Sequence, residues 1–257
     1  MMGALSAFFS ACSEVLPFME DALKDCRYSL ITEKNPREIV LLRGNGCKWK
    51  RCKFCDYHMD FSKNEQDNAI LNRGVLSRVT GKYGSLEVIN SGSIVDLNRQ
   101  TIEDIIQVCK TKNITRLHFE SHWMHRQDVV ALKAIFDSFG ITAKAKIGVE
   151  TFEYTFRESY LNKGIPESDP KNIAKYFDEV CLLQGLTGQT EDTMRRDIEI
   201  GLHFFERVCV NIMVANKTQV HPDQAVIDTF MKAIYPNYRN NSRVDILLHN
   251  TDFGVGK

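Results

Sequence analysis

Seven short apolar runs, separated by stretches of helical pattern, constrain the fold of this chain more than any other feature of its sequence. The runs are rich in Val, Ile and Leu and lie at residues 39–43, 86–90, 115–120, 142–149, 179–184, 207–213 and 244–249. Helical patterns occur at residues 101–112, 126–139, 190–204 and 222–234. Strands that alternate with helices at this spacing form parallel βαβ units, so the sequence predicts an α/β protein.

The number of units favours an incomplete (β/α)6 TIM-like barrel of parallel strands, followed by a trailing strand at residues 244–249. A flat, doubly wound sheet is the alternative, because periodicity does not separate the two. The first residues, MMGALSAFFSACSEVLPFMEDAL, lack the basic start of a signal peptide and predict an amphipathic helix. We therefore expect an N-terminal helical extension at residues 1–36 and a single barrel domain at residues 37–257.

The cysteine loop, GNGCKWKRCKFCDYH at residues 44–58, follows the first predicted strand. In both architectures ligands bind at the carboxyl ends of the strands, where this loop begins. Cys47, Cys52 and Cys55 are spaced C-x4-C-x2-C, which suits an iron–sulfur cluster with one iron left open. A closed zinc site in a non-catalytic α/β module, with His58 as the fourth ligand, is the alternative.

Charge and composition limit the partners. The chain has 33 basic and 33 acidic residues and a formal net charge of zero, so its long-range attraction to a polyanion such as tRNA is weak. No apolar run reaches the ~18 residues that a membrane span needs. Clustered cysteines in a chain this long indicate metal or redox chemistry in a reducing compartment. We expect a cytoplasmic protein with no membrane partner.

The cysteine loop resembles the cluster loop of the radical S-adenosylmethionine (SAM) superfamily, with one residue more than the usual C-x3-C-x2-C in the first gap. Two later segments are similar to the same superfamily: NSGSIVD at residues 90–96 and KIGVETFEYTFRESYLNKG at residues 146–164. The resemblance implies that Cys47, Cys52 and Cys55 hold a catalytic [4Fe–4S] cluster whose open iron binds the methionyl group of SAM. It also implies an electron donor such as flavodoxin or ferredoxin.

The resemblance assigns further residues to SAM. Gly92 permits close approach of the backbone to the cofactor amino group, and the Glu150 carboxylate suits the two ribose hydroxyls. Asn211 and Gln184, on later strands, are expected to contact adenine or substrate. The full predicted set is Phe54, Tyr57, Ser91, Gly92, Ser93, Gly148, Glu150, Gln184 and Asn211.

The combined motifs are most similar to radical SAM proteins of the archaeosine synthase and queuine lyase type, which act on 7-deazaguanines. The resemblance implies a lyase that generates a 5′-deoxyadenosyl radical, breaks the C–N bond of queuine and releases a 7-aminomethyl-7-deazaguanine base for queuosine salvage. A radical SAM enzyme that modifies a 7-deazaguanine in tRNA is the alternative. The zero net charge favours the small-molecule substrate, because a tRNA-binding protein needs a basic surface.

Substrate contacts are expected where the third strand ends, in the sequence HFESHWMH. His118, Glu120 and His122 alternate, so their side chains point to one side of an extended segment. Glu120 is a natural acceptor for the ring N–H and amine of a guanine-like base, and Asp96 is a second candidate. Trp123 could stack on a base or pack in the core. The remaining cysteines are scattered; Cys109, Cys181 and Cys209 are predicted to be buried as small hydrophobic residues.

Overall fold

The computed structural model describes residues 27–248, which form one curved eight-stranded sheet in the order β1 to β8. The strands are β1 (Tyr28–Ile31), β2 (Arg37–Leu42), β3 (Ser85–Asn90), β4 (Arg116–Glu120), β5 (Thr142–Glu150), β6 (Glu179–Gln184), β7 (Arg207–Ile212) and β8 (Val244–Leu247). Strand β1 is antiparallel to β2, and all later neighbours are parallel. Because the strand order never reverses, the incomplete TIM-like barrel is confirmed and the doubly wound alternative is wrong.

Helices cover the outer side of the sheet. The α-helices are Glu65–Leu76, Arg99–Thr111, Arg126–Ser138, Pro170–Ile173, Glu191–Phe204, Gln224–Thr229 and Tyr235–Tyr238; π-helical turns occur at Phe156–Tyr160 and Phe230–Ile234, and 3₁₀ turns at Tyr57–Met59, Ile94–Asp96 and Trp123–His125. Asparagine and threonine side chains cap several helices, as Asn98 does by accepting a hydrogen bond from the Thr101 N–H.

The helix Glu65–Leu76 has no counterpart among the predicted helices. Its buried face includes Asn68 and Asn72 as well as apolar residues. Asn72 exchanges two hydrogen bonds with the backbone of Arg43, at 2.8 and 2.9 Å. Because polar side chains form part of the packed face, hydrophobic periodicity does not reveal this helix.

Two chemically different interiors result from side-chain alternation along the strands. Residues that point outward, such as Val40, Val88 and Phe119, form the apolar core beneath the helices. Residues that point into the barrel near its amino-terminal end are charged and buried: Arg37, Glu87, His118, Lys146, Glu179, Arg207 and Asp245. We call these seven residues the barrel floor.

The charges of the barrel floor are paired, as buried charges must be. Glu87 contacts both Arg37 and Lys146, and Arg207 lies 2.6 Å from Glu179 and 3.1 Å from Asp245. Burial alone would raise the pKa of Glu87, but the surrounding cations outweigh burial and hold that pKa well below its usual range.

The predicted N-terminal extension needs one correction. Residues 28–31 are not helical but form strand β1, which pairs with β2 and joins the sheet. The Tyr28 hydroxyl donates a 2.7 Å hydrogen bond to Glu38, which fixes β1 against the barrel. The amphipathic helix expected further upstream falls within residues 1–26, outside the described residues. Across residues 27–248, none of the helices combines the length and apolar character required to cross a membrane.

Candidate active site

A cavity of about 350 Å³ opens at the carboxyl ends of the strands, bounded by the cysteine loop above and the barrel floor below. It brings together most of the predicted site residues. Those that line it are Cys47, Cys52, Phe54, Cys55, Tyr57, Ser91, Gly92, Glu120, His122, Gly148, Glu150 and Asn211.

The cysteine loop is held in place by hydrogen bonds between its backbone and the segment after β5. The Lys53 N–H donates to the Leu161 carbonyl at 2.9 Å, and the side-chain amide of Asn162 donates to the Arg51 carbonyl at 2.9 Å. On its other side, Asn216 donates to the Phe54 carbonyl at 2.8 Å. These contacts fix a loop that has little regular structure of its own.

Trp49 is the side chain that joins the cysteine loop to both neighbouring segments. Its indole N–H donates to the Asn162 carbonyl at 2.9 Å, and its ring stacks on His122 with centroids 5.6 Å apart. Gly164 lies directly against the ring, because a Cβ atom there would approach the indole to 2.2 Å. Burial lowers the pKa of His122 to about 4, so this imidazole is neutral at pH 7.

The three thiols face one cavity but do not form a compact site for a single ion. Within residues 27–248, no three His, Cys, Asp or Glu side chains are close enough together to hold one metal ion. A closed zinc site built from the three cysteines and His58 therefore does not match the geometry. Thiols spread around one cavity suit a cluster, in which each cysteine binds a different iron.

Lys163 lies beside these thiols and was not singled out from the sequence. Burial raises the pKa of Cys52, and raises that of Cys55 to about 12, while the Lys163 cation opposes both shifts. The ammonium donates a 2.6 Å hydrogen bond to Glu150, and this carboxylate keeps the pKa of Lys163 above its usual range despite burial. A fixed cation at this position offsets the charge of bound thiolates.

The end of β5 is shaped to present Glu150. The strand is irregular between Gly148 and Glu150, and Glu150 has a φ of 66°. A Cβ atom at Gly148 would lie 2.5 Å from the Glu150 carboxylate and 3.0 Å from the Lys163 ammonium. Only glycine at 148 leaves room for this ion pair, in a backbone conformation that is uncommon for a glutamate.

The turn after β3 packs against the first cysteine. A Cβ atom at Gly92 would lie 3.1 Å from Cys47 Cα, so the two backbones are in close contact. Behind the turn, Asp96 accepts a 2.9 Å hydrogen bond from the Ser93 N–H. Ser93 and Asp96 are buried and do not line the cavity. They therefore support the Gly92 turn from behind.

Two other predicted site residues also lie outside the cavity lining. Gln184 points to the outer side of β6, because Cys181 and Leu183 on the same strand point inward, and it donates to the Met194 carbonyl at 3.0 Å. His118 points inward but lies in the barrel floor, 2.8 Å from Glu179. Gln184 lies outside the lining because side chains alternate along β6, and His118 lies outside it because it is too deep along β4.

At the deep end of the cavity, Glu120 is 3.1 Å from Lys146, and the glutamate side chain is 32% exposed. Ile89 and Glu120 point inward, so the buried side chains of Asn90 and Ser121, one residue further along, point to the outer side of the sheet as Gln184 does. At this depth, Glu120 and Lys146 offer a carboxylate and an ammonium to a polar ligand.

The structure also revises the interpretation of the scattered cysteines. Cys109 lies in the apolar core, as expected, while Cys181 and Cys209 are buried but line the cavity. Their pairing across β6 and β7 depends on strand register, which the sequence does not give. Trp123 packs against Tyr176 and Phe177 in the core and does not stack in the cavity.

Comparisons with known proteins agree with this geometry. No protein-family model matches the chain, and no curated protein matches it. Among solved structures, it is similar to a queuine lyase from Clostridium spiroforme bound to SAM and queuine, with 41% identity, a TM-score of 0.84, and coverage of 90% of this chain and 99% of that chain.

Two structures of SuiB from Streptococcus suis, one bound to S-adenosylmethionine, are also similar. Their identities are 12% and 13%, and both TM-scores are 0.53. They cover 83% and 88% of this chain and 50% and 49% of the SuiB chain. At that identity, the likeness supports the fold alone.

Proposed function

This chain belongs to the queuine lyase family of radical SAM enzymes, and we propose that it breaks the C–N bond of queuine to release 7-aminomethyl-7-deazaguanine. The observation that carries the proposal is the 41% identity to a queuine lyase over nearly the full length of both chains. The cavity supports it independently, because three thiols, the Gly92 turn and Glu150 converge on one space.

Cys47, Cys52 and Cys55 would hold a [4Fe–4S] cluster, beside a SAM molecule bound between the Gly92 turn and Glu150. When bound, these groups supply a 5′-deoxyadenosyl radical that removes a hydrogen atom from an unactivated carbon. Glu150 is suited to accept the ribose hydroxyls because Lys163 fixes one of its carboxylate oxygens, Oε1. The barrel walls keep solvent away from the reacting atoms.

The substrate base would occupy the deep end of the cavity. Glu120 can accept hydrogen bonds from the ring N–H and the exocyclic amine of a 7-deazaguanine, while Lys146 holds the carboxylate in place. The enzyme also needs an external one-electron donor, such as flavodoxin or ferredoxin, and a reducing compartment such as the cytoplasm.

The test uses protein whose cluster has been reconstituted anaerobically and then reduced. With SAM and queuine, we expect both 5′-deoxyadenosine and 7-aminomethyl-7-deazaguanine, measured by mass spectrometry. A Cys52→Ala variant should form neither product, whereas Cys109→Ala, which removes a core thiol, should form both. If queuine stays intact while 5′-deoxyadenosine accumulates, the substrate assignment is wrong. If loaded enzyme forms neither product, the proposed chemistry is wrong.

A further inference from the structure

Two further thiols line the cavity on neighbouring strands, outside the cysteine loop. Cys181 on β6 and Cys209 on β7 are register partners on adjacent strands, and both side chains line the cavity. Both residues are buried, at 7% and 6% exposure. Along their strands they lie between the barrel floor, at Glu179 and Arg207, and the upper lining at Leu183 and Asn211.

The surroundings keep the Cys181 thiol protonated. The neighbouring Cys209 thiol and burial raise the pKa of Cys181 well above the usual range; the Lys146 cation opposes this shift, and Glu120 adds to it. A neutral thiol is a poor nucleophile and a poor metal ligand, because both roles need the thiolate. Its S–H bond is weaker than an ordinary alkyl C–H bond, however, so it can give a hydrogen atom to an alkyl carbon radical.

The proposed function creates a need for such a donor. Removal of one hydrogen atom from closed-shell queuine leaves one unpaired electron, and breaking the C–N bond cannot pair it. The amine leaves with both electrons of the C–N bond and the proton of a neighbouring ring hydroxyl. The unpaired electron then stays on the carbocyclic fragment, which needs one hydrogen atom to become a stable product.

We propose that the Cys181–Cys209 pair is the hydrogen-atom donor that ends the radical reaction; this assignment rests on the proposed function. The fragment radical takes H from one S–H group, which forms a C–H bond and leaves a thiyl radical on sulfur. The thiyl radical then takes one electron and one proton, which restores the thiol. The electron comes from the same class of one-electron donor that the proposed reaction already requires.

The position of the pair fits this role. Among the cysteines of residues 27–248, Cys47, Cys52 and Cys55 are cluster ligands in the proposed function, and Cys109 lies in the outer core. Cys181 and Cys209 are thus the described thiols that both line the cavity and stay free of the cluster. They also lie on the side of Lys146 and Glu120, where the base is proposed to bind.

The test measures the fate of the radical, using loaded, reduced enzyme with SAM and queuine in D₂O. In the wild type we expect one solvent deuterium on a carbon of the carbocyclic product and about one 5′-deoxyadenosine per released base. Product that is made in H₂O and then held in D₂O corrects for simple exchange. In the double variant Cys181→Ala/Cys209→Ala, which removes both thiols, the ratio of 5′-deoxyadenosine to base should rise about tenfold, and the deuterium should be lost.

The double variant Cys181→Ser/Cys209→Ser keeps the side-chain sizes but cannot donate a hydrogen atom readily, so it should behave like the double alanine variant. Cys109→Ala is the matched control and should stay coupled. Queuine affinity by calorimetry and iron content show that the variants are folded and loaded. Normal base release by the wild type without deuterium on carbon would overturn the thiol role and leave the proposed function intact. Coupled turnover in the double serine variant would do the same.

Discussion

Glu120 links the barrel floor to the part of the cavity where we propose that the substrate base binds. Its carboxylate is held by Lys146, yet it remains the most exposed of the acidic groups around that lysine. Glu87 also contacts Lys146, so the lysine stays neutralised when Glu120 changes. Glu120 is therefore free to bind substrate without being essential for the buried charge balance.

We predict that Glu120→Gln weakens queuine binding by about 10- to 100-fold, because a hydrogen bond to a charged group contributes about 1.5–3 kcal/mol. SAM affinity should not change, since Glu150 and Lys163 are untouched. Calorimetry with each ligand separates the two effects. Glu206→Gln, a carboxylate paired with Lys144 outside the cavity lining, is the control and should alter neither affinity. Equal loss of both affinities would contradict a substrate role for Glu120.

Asp197 predicts a pH dependence of stability. Burial raises its pKa to about 6, although it accepts a 2.8 Å hydrogen bond from the Phe152 N–H. A carboxyl whose folded pKa is raised stabilises the fold when protonated, so this contribution is present below about pH 4 and is lost as pH rises through 6. The amide in Asp197→Asn stays neutral and can accept the same hydrogen bond.

The stability of Asp197→Asn relative to the wild type should therefore increase by about 2–3 kcal/mol between pH 4 and pH 7.5. Denaturant unfolding of the cluster-free protein at several pH values measures this difference. The exposed Asp137→Asn variant should show no such trend. A difference that is flat with pH would show that Asp197 is ionised throughout this range.

At the scale of single residues, the sequence predicts which chemical groups lie at the cavity better than it predicts which residues contact each other. Glu150 and the three cysteines could be placed at the cavity because each belongs to a motif that follows a strand. The ion pair between Glu150 and Lys163, and the thiol pair Cys181–Cys209, could not be predicted. Both depend on register and loop path, which bring together residues that are distant in sequence and carry no local pattern.

At the scale of elements, the cysteine loop depends on the segment at residues 161–164. Trp49 stacks on His122, hydrogen-bonds to Asn162 and packs against Gly164. Gly164 has a φ of +74°, a conformation that a residue with a Cβ atom rarely adopts. The loop therefore takes its shape from its neighbours, which explains how a segment with little secondary structure can present three thiols.

Gly164→Ala is expected to displace Trp49 and to reduce the iron bound per chain after reconstitution. Gly140→Ala is the matched control, because Gly140 also has a φ of +74° but a Cβ atom there would meet nothing within 4 Å. Both variants should lose about 1–2 kcal/mol of stability from the left-handed backbone, but only Gly164→Ala should lose iron. Iron content and visible absorbance, measured beside thermal unfolding, distinguish strain from loss of the site. Equal iron in both variants would show that Trp49 does not shape the loop.

The elements themselves were largely predictable. All seven apolar runs are strands, because each strand of a parallel sheet covered by helices carries β-branched and aliphatic residues on its outer face. Strand β1 was missed because it was assigned to a helical extension, and Glu65–Leu76 was missed because asparagines share its buried face. The sequence pattern indicates an element where burial is apolar, and fails where burial is polar.

At the scale of the whole molecule, the barrel is open between its first and last parallel strands, and side chains bridge that gap. Strand β8 pairs only with β7 within the described sheet. Asp245 on β8 accepts a hydrogen bond from Arg37, the first residue of β2, at 3.3 Å, and one from Arg207 on β7 at 3.1 Å. Asn35 donates to the same carboxyl group at 3.1 Å. These contacts close the amino-terminal end of the barrel and leave the carboxyl end open for ligands.

Asp245→Ala should therefore destabilise the protein by about 3–5 kcal/mol, because it leaves two buried arginines without one of their counter-charges. Asp104→Ala removes an ion pair with Arg73, whose side chain is 60% exposed, and should cost less than about 1 kcal/mol. Denaturant unfolding of both variants measures the difference. Since the carboxyl end does not depend on Asp245, any Asp245→Ala protein that remains folded should still bind iron through the cysteine loop. Similar small losses in both variants would mean that the strands, rather than the bridging charges, hold the open barrel together.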